Sequence, residues 1–289
     1  HSDAEITLEA NPGTFEIERF KGFRAAGVNR LSIGIQSFSS AHLQALGRIH
    51  DGTEAERAVT MAATLFDNFN LDLMYALPEQ TLAEALADIN AALAFAPAHL
   101  SAYHLTLEPN TLFHQQPPPL PDDELAADMQ EAIEARLAGA GYDNYETSAF
   151  AKTGHRSRHN LNYWQFGDYL GIGAGAHSKL SFADRITREA RHKQPKAYME
   201  RALAGDAIQQ QLQVPVADLP FEFAMNALRL RDGFSLDLFE RRTGLLRHSL
   251  AGPLDRAEAR GLIERDHLAV RPSARGRRML NELLQLFLV

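Results

Sequence analysis

Residues 29–38, "NRLSIGIQSF", alternate in character one position at a time. Leu31, Ile33 and Ile35 fall on one side and Ser32 and Gln36 on the other, the two-residue period of a β-strand with one packed face. Three further runs share the pattern: "ITLEANPG" (6–13), "NFNLDLMYALP" (68–78) and "HLSAYHLTLEPN" (99–110). Each is bounded by Gly, Pro or Asn, and helix-like stretches separate them. Phe15–Ala26 follows a Thr14 cap, and Thr53 with Glu56 and Thr81 with Glu84 match the capping box that satisfies free amides at a helix start. Alternating strands and helices predict an α/β fold with a parallel sheet and right-handed crossovers, open or closed into a barrel.

Counting parity along the runs gives one apolar face: Ile6 and Leu8; Leu31, Ile33 and Ile35; Leu71 and Leu73; Tyr103, Leu105 and Leu107. The opposite face carries Thr7 and Glu9, Ser32 and Gln36, Asn70 and Asp72, and His104, Thr106 and Glu108. A filled barrel places Val, Ile and Leu inside, so this polar face predicts an interior open to a polar ligand. One such residue alone reads as a loop cap. Four strands repeating it read as a site, because Glu9, Gln36 and Glu108 sit at strand carboxyl ends with Asp72 slightly earlier. Gln36 to Asp72 and Asp72 to Glu108 are both 36 residues, about one strand-helix-strand unit.

At 289 residues and 45% hydrophobic content the chain has room for a main domain, 1–195, and a smaller one, 196–289. No apolar run reaches the roughly 18 residues of a membrane span, and "HSDAEITLEANPG" has no signal-peptide pattern, so a cytoplasmic location is expected. A net charge of -8 argues against a whole-surface nucleic-acid binder. With no cysteine, disulfides, zinc-thiolate sites and cysteine-ligated iron–sulfur clusters are excluded from these residues. The chain starts at His1 with an apolar run from Ile6, which reads as a fragment whose upstream part is missing.

The runs "ITLEANPGT", "VNRLSIGIQSF", "LGRIH", "NLDLMYALP" and "LTLEPNT", followed in order by "RHNLNYW" and "GIGAGAH", resemble the radical S-adenosylmethionine (SAM) proteins. Within them the chain is most similar to the group of oxygen-independent coproporphyrinogen III oxidase and to its HemW-type haem chaperone branch. The resemblance implies a partial (β/α) barrel, four of six strands present, with a C-terminal mainly helical, winged-helix-like domain. It further implies that the cysteines holding a 4Fe-4S cluster lie in a segment absent here. The cluster belongs to a full-length form, and this chain alone has no radical activity. Glu9 in "LEANP", Gln36 in "GIQSF", Arg48 in "LGRIH" and Asp72 in "NLDLMY" match family positions that contact SAM, with weak affinity expected here. The chemistry agrees: carboxylates suit ribose hydroxyls or the ammonium group, and Arg48 and Gln36 suit a methionyl carboxylate. The chain departs from the family pattern at Ala76 and Glu79, where glycines are expected, and at Ser157, where cysteine often stands.

Residues 158–177, "RHNLNYWQFGDYLGIGAGAH", contain His159, Asn160, Tyr163 and Trp164 in H-N-x-x-Y-W spacing, similar to the haem-binding motif of the chaperone branch. A neutral imidazole ligates haem iron, and Tyr163 and Trp164 offer faces to the macrocycle. Arg156 and Arg158 suit the propionates. Gly171, Gly173 and Gly175 lack dinucleotide-loop spacing and read as close backbone packing, with His177 beside them. Beyond "QVPVADLP" come amphipathic helices, a short hairpin at 265–276 and a last helix at 277–289. Twelve arginines against seven acids from Arg229 to Arg278 raise a winged-helix nucleic-acid binder as an alternative. Alternating Arg and Glu, with no basic run, read instead as solvated helix faces. The expected function is haem binding and transfer to an unknown acceptor protein, with coproporphyrinogen III oxidation in a full-length form as the other reading.

Overall fold

Leu31, Ile33 and Ile35, read above as one face of a strand, are fully buried in it. The computed structural model describes residues 3–14, 16–109 and 111–288, which form two compact units, one ending at Ser157 and the other starting at Arg158. The first unit runs β1 (Thr7–Ala10), α1 (Ile17–Ala25), β2 (Arg30–Gln36), α2 (Ser40–Ala45), α3 (Gly52–Leu65), β3 (Phe69–Tyr75), α4 (Leu82–Ala94), β4 (His99–His104), α5 (Leu112–Gln115), α6 (Asp123–Gly139), β5 (Asp143–Asn144) and β6 (Ala149–Ala151). Its open sheet has the order β1-β2-β3-β4-β6-β5; the first four strands are parallel and β6 and β5 are added antiparallel. β5 and β6, two and three residues long, are too short to show alternation in sequence. β1 pairs with β2 alone among the described residues, so it forms an edge of the sheet.

Helices cover one face of this sheet. Phe20 of α1, Val59 of α3, Ile89 of α4 and Met129 and Ile133 of α6 close over Leu31, Ile33, Leu71, Leu73 and Leu100. Burying each large side chain contributes roughly 1.5–3 kcal/mol, which is what holds the helices on the strands. Two caps differ from expectation. α3 starts at Gly52, with the box formed by Asp51 and Glu54 instead of Thr53 and Glu56, because the aspartate just ahead accepts from the Glu54 amide. α1 starts at Ile17, later than the expected Phe15, with Glu16 at its cap position and no side-chain cap from it; Phe15 and the side chain of Thr14 lie outside what is described. Thr81 and Glu84 form their box at α4 as read.

The parity read for the fourth strand is off by one. In the parallel register Leu71 meets Leu100, Asp72 meets Ser101 and Met74 meets Tyr103. His99, Ser101 and Tyr103 therefore share the polar face, while Leu100, Ala102 and His104 face the helices, with His104 edge-on to Tyr75. The alternation of Leu105 and Leu107 does not continue the strand, which stops at His104. Leu105–Pro109 is coil, so Thr106 and Glu108 belong to no strand face, and Asn110 lies outside the described residues.

The second unit contains α7 (Arg158–Trp164), then β7 (His177–Ser181), β8 (Ile186–Arg191), α8 (Pro195–Leu203) and β9 (Ile208–Gln213), whose strands form an antiparallel sheet β7-β8-β9. This sheet was not legible in sequence, since "IQQQLQ" of β9 is exposed nearly throughout and shows no apolar alternation. α9 (Leu219–Ala227), β10 (Phe234–Ser235), α10 (Leu236–Thr243), α11 (Ala251–Ala259), β11 (Ile263–Arg265) and β12 (Ala269–Pro272) follow. Three helices and an antiparallel sheet of order β10-β12-β11 make the winged-helix layout. The expected last helix is broken at Met279 into α12 (Ala274–Arg278) and α13 (Leu280–Gln285), which turns Leu283 and Phe287 into the core. Phe166, just past α7, belongs to that same core beside Phe223 and Phe239. The compact units thus divide ahead of the 195/196 boundary drawn from the change of pattern.

Candidate functional site

The polar face of the first unit is a connected hydrogen-bond network. Ser32 Oγ donates to Asp72 Oδ2 at 3.0 Å and Asn70 Nδ2 donates to Asp72 Oδ1 at 2.8 Å. Asn70 Oδ1 accepts from Ser101 Oγ at 3.1 Å and meets His99 Nδ1 at 2.7 Å, and His99 Nε2 meets the Tyr145 hydroxyl at 2.8 Å. Burial, reinforced by the charge of Arg30 and by His155, pushes the His99 pKa down to about 3. A neutral His99 must donate from Nδ1 to the Asn70 carbonyl and accept from Tyr145 at Nε2. The donors consequently run in one direction, toward the Asp72 carboxylate.

Tyr103 extends that face. Burial, then the charges of Asp72, Glu146 and Glu9, pushes its hydroxyl up to about 12, with the Ser101 hydrogen bond acting the other way. Glu9, paired in register with Ser32, is exposed on β1. Gln36 ends β2 after a bulge, with φ 68, and its side chain folds over Gly34. A Cβ at Gly34 would lie 2.9 Å from Gln36 Nε2 and 3.0 Å from Asn11 Oδ1, so glycine is what lets the amide lie flat against the strand. Glu9, Gln36 and Asp72 therefore share one sheet face. Arg48 is exposed in the α2–α3 connection, its amide on Leu43 O, and no hydrogen bond among the described residues joins it to them. In the sequence Asn70 is legible as part of the polar face but not as the hub of a network, and Ser101, His99 and Tyr145 are not legible as its members. Asn70 and His99 were visible as polar residues at strand positions, but the link to Tyr145 depends on packing.

Two of the three departures from the family pattern, those where glycine is expected, fall at positions with unusual backbone. Ala76 and Glu79 both have φ 56, the left-handed region that glycine occupies freely. The Glu79 amide donates to Pro119 O and the Gln80 side chain accepts from the Leu77 amide, which holds the loop in that conformation.

In the second unit, α7 carries the H-N-x-x-Y-W residues. His159 and Tyr163 are one turn apart, and their rings meet edge-to-face at 4.6 Å and 90°. Tyr163 in turn meets Tyr169 at 4.6 Å and 76°. His159 is exposed, and Asn160 and Tyr163 are half-buried. Trp164 packs under the Arg229 guanidinium at 4.4 Å, and its indole Nε1 is buried without a hydrogen-bond partner among the described residues. Arg156, expected near propionates, belongs to the first unit, where it pairs with Asp143 at 2.6 Å. Arg158 and His177 are exposed.

The turn after α7 is built by residues the motif leaves blank. Asn162 Nδ2 donates to Asp168 O at 2.9 Å, and a Cβ on Gly167 would overlap the Asn162 side chain. Buried Lys179 donates to Phe166 O at 3.1 Å and to Asp168 Oδ1 at 3.0 Å, with its ammonium 4.0 Å from the Phe166 ring. Burial lowers its pKa while Asp168 opposes the shift. Of the three glycines read as packing, Gly171 is that, since a Cβ would overlap the His177 backbone. Gly173 and Gly175 serve instead as left-handed turn positions, at φ 112 and 72.

The family model "Radical SAM superfamily" matches residues 1–92, and "HemN C-terminal domain" matches 214–279. The chain is 49% identical to the "Heme chaperone HemW" of Haemophilus influenzae and 48% identical to that of Escherichia coli. The two alignments take in 98% and 99% of this chain and 74% and 75% of those proteins. This chain belongs to the HemW family. Among solved structures, coproporphyrinogen III oxidase (HemN) from Escherichia coli matches with a TM-score of 0.80 at 22% identity, covering 99% of this chain and 70% of that one. That likeness establishes a shared fold. Membership in the radical SAM superfamily implies SAM and a 4Fe-4S cluster as cofactors. The residues present fit half of that pair. The acidic, hydrogen-bonded face around Asp72 suits a cationic sulfonium nucleoside, whereas a chain without cysteine supplies no thiolate, and no cluster of three metal-ligating side chains occurs among the described residues.

Proposed function

We propose that this chain is a haem chaperone of the HemW type, binding haem at α7 and passing it to an acceptor protein. The observation that carries the reading is the exposed His159 imidazole standing edge-on to Tyr163 in a chain about half identical to proteins of that name. His159 would supply a nitrogen ligand to the iron, Tyr163 and Trp164 the apolar surface, and Asn160 a polar contact one residue along. Arg229, above Trp164, is a cation on the same indole. On the sheet face, Glu9, Gln36 and Asp72, with Arg48 from the α2–α3 connection, are the SAM-contacting residues of this reading. When bound, the cluster and SAM supply one-electron chemistry. The part of Glu9 and Asp72 is to accept hydrogen bonds from the nucleoside, with Asp72 oriented by Ser32 and Asn70, and that of Gln36 and Arg48 is to donate to the methionyl carboxylate.

Arginine pairing in the winged-helix part favours this reading over nucleic-acid binding. Arg241 pairs with Asp237, Arg247 with Glu240 at 2.6 Å, and Arg265 with both Asp255 and Glu258 at 2.6 and 2.9 Å, so these charges are answered within the fold. No helix of the described residues is long and apolar enough to cross a membrane, in keeping with a cytoplasmic site of action. Hemin titrated into the chain should give a Soret shift that His159→Ala weakens at least tenfold in affinity. Identical titrations of the two proteins would remove His159 as the ligand.

A further inference from the structure

The second unit contains a cavity of about 360 Å³ that neither haem nor SAM accounts for. Ile186 at the start of β8, Val214 just past β9 and Leu219 at the start of α9 form its buried apolar wall. Phe182 and Arg185 of the β7–β8 turn and Arg241 and Arg242 of the last turn of α10 border it. These three arginines are not equivalent. Arg185 pairs with Asp184 at 2.9 Å and lies 4.6 Å from the Phe182 ring centre, and Arg241 is held by Asp237. Arg242, half-buried, has no hydrogen bond or ion pair among the described residues.

Nearby charge does not neutralise it. Lys179, close enough for the two cations to repel, spends its ammonium on Phe166 O, Asp168 and Ser181. Asp168 is occupied by Lys179 and the Ser181 hydroxyl. The carboxyl end of α10 favours a cation, which explains an arginine in its last turn but leaves the guanidinium fork open. An apolar wall with one open fork at its border matches one ligand chemistry: a single carboxylate on an apolar body.

We propose that this cavity binds such a carboxylate, the anion bidentate on Arg242 and the apolar part against Ile186, Val214 and Leu219. A free aliphatic acid and the chain end of a partner protein finishing in an apolar residue share this chemistry. Calorimetric titration of the chain with octanoate, 1-octanol, and acetyl-Gly-Gly-Leu as free acid and as amide separates them. The expected result is that at least one acid binds at least tenfold more tightly than its uncharged counterpart, and that Arg242→Gln removes this preference. Arg242→Lys should lose part of it, and Arg241→Gln should retain it. Preference for octanoate assigns a free acid, and preference for the peptide acid assigns a chain end. Acids bound no better than octanol and the amide, or bound equally by Arg242→Gln, overturn the proposal.

Discussion

Glu79 is an exposed residue in the left-handed region, at a position where the family pattern expects glycine. An L-residue there carries roughly 1–2 kcal/mol of steric cost, and glycine removes it while losing more backbone entropy on folding. Glu79→Gly is therefore expected to raise stability by about 0.5–1 kcal/mol, seen as a higher urea midpoint at unchanged slope. A lower midpoint would show that the Glu79 side chain contributes more than its backbone costs. The site residues themselves were partly legible. Gln36 and Asp72 stood out because a polar residue recurring on one strand face is hard to explain by packing. His99 and the bridging role of Asn70 escaped because they depend on Tyr145, which is distant in sequence, and no local pattern encodes that meeting.

The elements of the first unit were read from local chemistry where local chemistry controls them. Alternation defined β2 and β3, and Thr81 with Glu84 marked the start of α4. At α3 two boxes competed within a few residues, Asp51 with Glu54 and Thr53 with Glu56, and the structure uses the first. Asp51→Ala should lower stability by about 1 kcal/mol, as measured by urea unfolding, whereas Thr53→Ala should change it by less than about 0.5 kcal/mol. Equal losses from the two substitutions would mean that the helix start is shared between them. The β7–β9 sheet shows the limit of this approach: β9 is exposed nearly throughout, so its pairing with β8 comes from backbone hydrogen bonds that carry no side-chain signature.

At the scale of the whole molecule, the buried neutral His99 links folding to pH. Its folded pKa of about 3 lies below the ordinary value of 6.5, so the unfolded chain binds the extra proton between those values. This contribution is complete above pH 6.5 and is lost as pH falls toward 3, at up to about 1.4 kcal/mol per pH unit. His99→Gln, which keeps an amide in the network, should flatten the fall in stability between pH 6.5 and 4.5 relative to the parent chain. Parallel curves for the two proteins would assign the acid sensitivity to other groups. By itself the sequence determined that strands and helices alternate, that β2 and β3 bury Leu and Ile on one side, and that a winged-helix-like end follows, since each is written in nearest-neighbour periodicity and capping. Tertiary structure alone decided where β4 stops and hence which way His99, Tyr103 and His104 point. A strand's register is set by its neighbours across the sheet, and a single residue of slip exchanges its two faces.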